Sequence, residues 1–356
     1  MLGTNPAANP RAKGQRALRA ILVTNAYPTP ASPSAGTFAA DQVAGLRAAG
    51  VSVELVYVPR HERGRHVYRG LGGRVSELVR ASDSDVVHVL YGGVMADVVT
   101  RVVREAPVVV SFIGTDLLGG KGKGLVHTLS RRYGVTASRR AAVRAAGVIV
   151  KSENLLDALP THVDRSRAWV IPDGVDLARF RPRDKGKCQA ELGWDPARRH
   201  VLFPGSVTRP EKRFTLADAS VALLRRRDME VELHVLDGIR HDDVPTWLNA
   251  ADVVLLTSTH EGSPNVVKEA VACNVSVVSV DVGDVRERIE AIEGCYLAEE
   301  TPEDISAKVA SALERKARIA GREHVKGLSR ASAAARLQEV YEAVSDVRTE
   351  DDDRVS

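Results

Sequence analysis

Short runs rich in Val, Ile and Leu recur along the chain, and between them apolar residues return at three- and four-residue intervals. The first pattern predicts strands buried on both faces, and the second predicts helices packed against them. In the first half the strand-like runs are Ala20–Thr24, Val51–Val58, Asp85–Leu90, Val108–Phe112, Val148–Lys151 and Ala168–Ile171. In the second half they are Val201–Phe203, Val231–Leu236, Val253–Thr257 and Val275–Val280, with a weaker one near Tyr296. Strands alternating with helices imply parallel sheets, so the fold class is α/β with two doubly wound, Rossmann-like domains. Pro172-Asp173-Gly174-Val175-Asp176, followed by Phe180 and Pro182, reads as a turn and linker between them. The resulting boundaries are a disordered segment 1–16, a first domain 17–172, a second domain 173–329, and 330–356 as a returning helix with an acidic tail. Within that last segment Ala333–Val344 has amphipathic helical spacing, while Glu350–Ser356 reads as disordered.

A length of 356 residues exceeds the size at which one core usually divides, which agrees with two domains. No apolar run is long enough to cross a bilayer, and Met1–Ala17 lacks the apolar core of a secretion signal, so the expected location is the cytoplasm. Cys188, Cys273 and Cys295 form no C-x-x-C pair and are odd in number, as expected of reduced structural thiols. The histidines show neither H-x-x-x-H nor a paired spacing with cysteine, so no metal site is expected. Charge is divided unevenly: residues 1–180 carry 24 Lys and Arg against 14 Asp and Glu, a net +10, whereas 181–356 carry 26 against 32, a net −6. Lys121, Lys123, Arg131, Arg132, Arg139, Arg140 and Arg144 supply much of the excess. Such a cluster suits an anionic membrane surface or a phosphorylated acceptor, against the plainer reading of a solvated helix face. It suits nucleic acid less, because aromatic residues are only 4% of the chain and the run offers no series of stacking platforms.

Two glycine-rich stretches lack the spacing that chemistry would need. Gly70-Leu71-Gly72-Gly73 follows no strand and is no dinucleotide fingerprint. Gly119-Gly120-Lys121-Gly122-Lys123-Gly124 lacks the four-residue gap of a phosphate loop and reads as a mobile basic loop. The informative segment is Glu261-Gly262-Ser263-Pro264-Asn265-Val266-Val267-Lys268-Glu269, which follows the strand-like run ending at Thr257. Ser263 suits an N-cap and Pro264 the first helical position, so a helix is expected to start there and aim its free amides over the end of the strand. One carboxylate, Glu261, then lies in the loop, and the other, Glu269, in the second helical turn.

The phrase from Glu261 to Ala270 resembles the E-x7-E signature, E-G-x-P-x-x-x-x-E-A, of the retaining glycosyltransferases of family four, which have the GT-B fold. The likeness extends from Tyr27 to roughly Glu290, and Pro172–Asp176 is similar to that family's I-P-N-G-V-D, with Asp173 in place of Asn. The resemblance implies a nucleotide-sugar donor held mainly by the second domain and an acceptor held by the basic first domain, the acceptor being a saccharide, a lipid-linked sugar or a small molecule. It implies transfer with retention by front-face attack, without a cofactor or metal, with UDP-sugars preferred over GDP-sugars on family frequency alone, in the biosynthesis of a polysaccharide, glycolipid or glycosylated metabolite. Glu261 would bind the sugar, Glu269 the ribose, and the backbone of Gly262, Ser263, Pro264, Asn265 and Val266 the sugar and phosphate. Since a departing diphosphate accumulates charge, Arg209 and Lys212 would stabilise it, with Gly205 and Ser206 allowing close approach. The family's basic residue often follows the glycine directly, where this chain has Ser206. Gly36 would serve as the glycine that reaches towards the donor, or would simply be a turn glycine. Asp116, in Phe112-Ile113-Gly114-Thr115-Asp116, is similar to the aspartate of F-H-G-x-D and would position the acceptor or cap the next segment; Ile113 replaces the family histidine. Two other readings share these features: a nucleotide-sugar epimerase of the same fold, and a non-catalytic protein that binds sugar nucleotides. His88 reads as a hydrogen-bonded core histidine.

Overall fold

The computed structural model describes residues 16–32, 35–119, 125–315 and 317–355. The first sheet contains β1 (Arg19–Thr24), β2 (Ser52–Tyr57), β3 (Val86–Leu90), β4 (Val108–Phe112), β5 (Gly147–Val150) and β6 (Ala168–Val170), in the order β2-β1-β3-β4-β5-β6. The second contains β7 (Arg199–Pro204), β8 (Val231–Leu236), β9 (Val253–Leu256), β10 (Ser276–Val280) and β11 (Tyr296–Ala298), in the order β11-β10-β9-β7-β8. Every pairing is parallel, and each strand lies within a residue or two of the apolar run that predicted it. Strand order reverses at β1, flanked by β2 and β3, and at β7, flanked by β8 and β9. In doubly wound sheets the crevice outside the carboxyl ends at such a reversal takes the ligand.

The runs predict strands well because β3, β4, β5, β9 and β10 are buried along their whole length, so both faces must be apolar. Helices cover both faces of the first sheet. One layer is completed by the helix Arg330–Val355, whose Ala334, Leu337, Val340 and Tyr341 pack with Leu22, Val43, Leu46 and Ile149. Tyr341 Oη lies 2.7 Å from His88 Nδ1, and His88 Nε2 lies 2.7 Å from Ser111 Oγ, so His88 is a satisfied core residue whose pKa burial pushes well down. The acidic end expected to be disordered is helical as far as Val355. Arg16, also placed in a disordered segment, pairs with Asp85 at 2.8 Å; residues 1–15 lie outside the described residues.

The linker explains its own departure from the family pattern. Asp173 accepts from Lys151 Nζ at 2.8 Å, and the buried Lys268 donates from Nζ to the Asp173 carbonyl at 2.8 Å. Two lysines withdrawn from water require a carboxylate where Asn would be neutral. Burial pushes Lys268 down to about 8, while Lys151 and Lys268 outweigh burial and hold Asp173 below the usual carboxylate range. Among the described residues, no helix is long and apolar enough to cross a membrane.

Candidate functional site

The carboxyl ends of β7 and β9 are stitched into one rim. Gly205, at φ +143°, leaves β7 and turns the chain towards the short 3-10 turn Pro210–Lys212. A Cβ on Gly205 would sit 3.1 Å from Lys212 Cγ, so glycine lets the lysine stem lie over the main chain. The Thr257 hydroxyl donates to the Lys212 carbonyl at 2.8 Å, the Thr259 amide donates to the Glu211 carbonyl at 2.9 Å, and Arg213 reaches the Thr257 carbonyl at 2.5 Å. Arg213 also grips Glu300 through two nitrogens, at 2.6 and 3.1 Å. These bonds bring Lys212 Nζ to 2.6 Å from Glu261 Oε1, a half-buried ion pair assembled from two loops 49 residues apart.

The helix after Glu261 runs Asn265–Ala272 with Pro264 as its N-cap, one to two residues later than expected. Ser263 does not cap it. Its hydroxyl donates instead to Asp284 Oδ2 at 2.7 Å, and that carboxylate also accepts from Arg288 Nε at 2.7 Å. A charged acceptor is the stronger partner for a hydroxyl, and the helix start is left without a side-chain cap. Glu269 lies in the second turn, where burial pushes its pKa up to about 7 against the pull of His241 and Lys268. His241, from the second domain, pairs at 3.3 Å with Asp41 of the first-domain helix Thr37–Ala48. Burial opposes charge on that ring, but Asp41 and Glu269 more than offset it and hold the His241 pKa above its ordinary value.

The first domain shapes its rim with main chain. Gly36, at φ +65°, starts the helix Thr37–Ala48, and a Cβ there would lie 2.2 Å from the Ala26 carbonyl, so its place against the loop after β1 requires glycine. Tyr91, just past β3, has φ +140°, a conformation costly for a residue with a Cβ. Asp116 is buried and its oxygens accept from the amides of Gly92 at 2.8 Å, Ile113 at 3.1 Å and Gly114 at 2.9 Å. Burial still lifts its pKa above the ordinary value. Of the two roles weighed for Asp116, the geometry is that of an anchor tying the loop after β4 to the loop after β3. Ile113 meets the second domain with its carbonyl: a Cβ on Gly262 would come within 2.5 Å of it, and Gly283 packs on the other side of Gly262.

Between the rims lies a cavity of about 290 Å³, lined in part by Arg60, Tyr91, Asp116, Arg131, Arg209 and Glu211. Arg209, expected with Lys212 at the diphosphate, is one of the residues on this cavity wall. Its guanidinium holds Glu211 Oε1 at 2.8 and 2.9 Å on the cavity wall. Ser206 stays in the exposed turn, 2.9 Å from the Thr208 hydroxyl. Of the basic run, Arg140 and Arg144 are bound to Asp97, and 120–124 lie outside the described residues. Sequence reasoning missed Arg213, Tyr91 and Asp41, whose roles depend on neighbours distant in the chain; the positive φ of Tyr91 has a trace in the Gly92-Gly93 pair that follows it.

Residues 15–179 match the family described as Glycosyltransferase Family 4, and residues 224–315 match the model described as Glycosyl transferases group 1. A D-inositol 3-phosphate glycosyltransferase from Segniliparus rotundus is 30% identical over 213 residues, 51% of this chain and 46% of that protein. The chain spans about half the length of the curated relatives it matches. Sucrose-phosphate synthase from Thermosynechococcus elongatus superposes with a TM-score of 0.69 at 15% identity, over 95% of this chain and 99% of that one. Anabaena HepE, solved in complex with UDP and glucose, gives 0.58 at 17% identity over 93% and 98%. With both halves matched, the signature phrase in register and two parallel-sheet domains facing across a cleft, this chain belongs to family four of the glycosyltransferases and has the GT-B fold.

Proposed function

We propose that the chain moves a sugar from a nucleotide-sugar donor to an acceptor hydroxyl with retention at the anomeric carbon. The observation that carries this reading is the Lys212–Glu261 pair, 2.6 Å long, beside a helix start at the strand-order reversal of the second sheet. In the proposed step the bond from the anomeric carbon to the diphosphate oxygen breaks and its electron pair stays on that oxygen. The acceptor oxygen bonds to the same face of the carbon, and its proton passes to the departing phosphate, so the protein supplies no base. Lys212 and the amides after Ser263 stabilise the diphosphate, and Glu261 steadies the positive charge developing on the sugar. Glu269 accepts from the ribose hydroxyls. Asp116 acts as a positioning residue that fixes the acceptor wall.

Arg60, Arg131 and Arg209 around the cavity support an anionic acceptor, phosphorylated or lipid-linked, in keeping with relatives named for D-inositol 3-phosphate. Leu129 and Tyr133, 55% and 53% exposed beside Arg131 and Arg132, support peripheral attachment to the inner face of the cell membrane. Co-sedimentation with phosphatidylglycerol vesicles but not with phosphatidylcholine vesicles is the expected result for that attachment.

The transfer itself is tested with UDP-, GDP- and ADP-sugars, following the anomeric configuration of the product by NMR. A UDP-sugar is expected to react with retention, in EDTA as well as without it. An inverted product overturns the proposed step, and strict dependence on added magnesium or manganese overturns the assignment of Lys212.

A further inference from the structure

Towards the amino end of β7, on the sheet edge opposite the one that carries the transfer chemistry, His200 of β7 faces Glu232 and His234 of β8. Residues 232 and 234 share one face of their strand because they are two apart, and the parallel register sets Glu232 beside His200. His200 Nδ1 lies 2.9 Å from His234 Nε2, while Glu232 Oε2 lies 3.8 Å from the first nitrogen and 3.6 Å from the second. A four-coordinate zinc with bonds of about 2.0–2.2 Å holds its ligand atoms roughly 3.3–3.5 Å apart, and this triangle straddles that spacing.

Each ligand is also aimed from behind. His200 Nε2 lies 2.8 Å from the Asp195 carbonyl, which can only accept, so the proton sits there and the Nδ1 lone pair faces the group. Arg198 occupies Glu232 Oε1 at 2.9 Å and leaves Oε2 towards the rings. Trp194 stacks on His234 with centroids 3.6 Å apart and planes within 8°. An ordinary hydrogen bond between the imidazoles would use one N–H and leave Oε2 bonded to neither ring.

We propose that His200, Glu232 and His234 form a site for a divalent late transition ion, zinc foremost, with solvent as the fourth ligand. Two imidazoles and one carboxylate suit zinc, cobalt, nickel and copper rather than magnesium or calcium. The site joins β7 to the edge strand β8 and is independent of the transfer reaction.

The test titrates the full chain, freed of metal with EDTA and dialysed, by calorimetry with Zn²⁺ and by visible absorption with Co²⁺. One equivalent is expected to bind, with tetrahedral Co²⁺ bands and a rise of several degrees in Tm. Cu²⁺ is expected to quench the Trp194 emission. His234→Ala and Glu232→Gln, on the less buried strand, are each expected to weaken Zn²⁺ binding by at least tenfold while melting as the parent does in EDTA. No binding up to millimolar Zn²⁺, or an unchanged titration in both variants, overturns the site. A variant that no longer melts as the parent in EDTA is replaced by His234→Gln, which is held to the same criterion.

Discussion

The two rims of the cleft are built by opposite means. In the second domain, side chains of opposite charge meet across loops, Lys212 with Glu261 and Arg213 with Glu300. In the first, the buried Asp116 is held by three backbone amides, those of Gly92, Ile113 and Gly114, so that this part of the rim is tied together by main chain. On the proposed function, the ion-paired rim would face the donor, and the rim built on main chain, with Arg60 and Arg131 beside it, would face the acceptor. Charge suits a diphosphate that becomes more anionic during reaction, whereas shape suits selection among acceptors.

The largest effect is expected at the seam where the halves meet. Asp173→Asn leaves Lys151 and Lys268 buried without a carboxylate and should lower stability by about 3–5 kcal/mol, read by urea unfolding. A loss well under 1 kcal/mol would mean that the lysines reach water. Next, Glu261→Gln should cut turnover by about 100-fold with nucleoside diphosphate affinity nearly kept, which separates a contact to the sugar from one to the nucleotide. Lys212→Ala should weaken nucleoside diphosphate binding about tenfold, while Arg209→Ala should instead raise the acceptor KM. Equal losses of nucleotide affinity in the two variants would erase the division between the rims.

A pH series sharpens the donor side further. Glu269, pushed up to about 7 by burial, is mainly ionised at pH 8 and mainly protonated at pH 6, and in the proposed role only the carboxylate would accept from both ribose hydroxyls. Nucleoside diphosphate affinity should therefore fall by about tenfold as pH drops from 8 to 6. A flat profile would show that Glu269 does not touch the ribose. The smallest effect is on the acceptor side: Asp116→Asn turns one amide–carboxylate contact into a clash of donors, costing about 1 kcal/mol of stability and raising the acceptor KM severalfold with donor binding unchanged.

How much of this was legible in the sequence depends on the distance over which each feature is decided. The strands were legible because residues buried on both faces must form apolar runs, and the alternation with helices made the sheets parallel, whereas the strand order had no trace in the pattern. Glu261 and Glu269 were legible as a phrase. The cap at Ser263 was misread because its hydroxyl is claimed by Asp284, 21 residues on, and local propensity carries no trace of that partner. The family-typical Asn at 173 gives way to Asp for a reason that appears only when Lys151 and Lys268 arrive from two domains. Likewise His200 and His234 are 34 residues apart and become neighbours through strand register, which a search for H-x-x-x-H cannot detect.

Gly262 has a consequence for how the enzyme can evolve. Its backbone packs against the Ile113 carbonyl and Gly283, and a side chain there would push against the main chain of the opposite domain. The loop carrying Glu261 is therefore braced partly by the main chain of the opposite domain. At position 262 it is the absence of a side chain that lets the main chains of the two halves bed directly against each other.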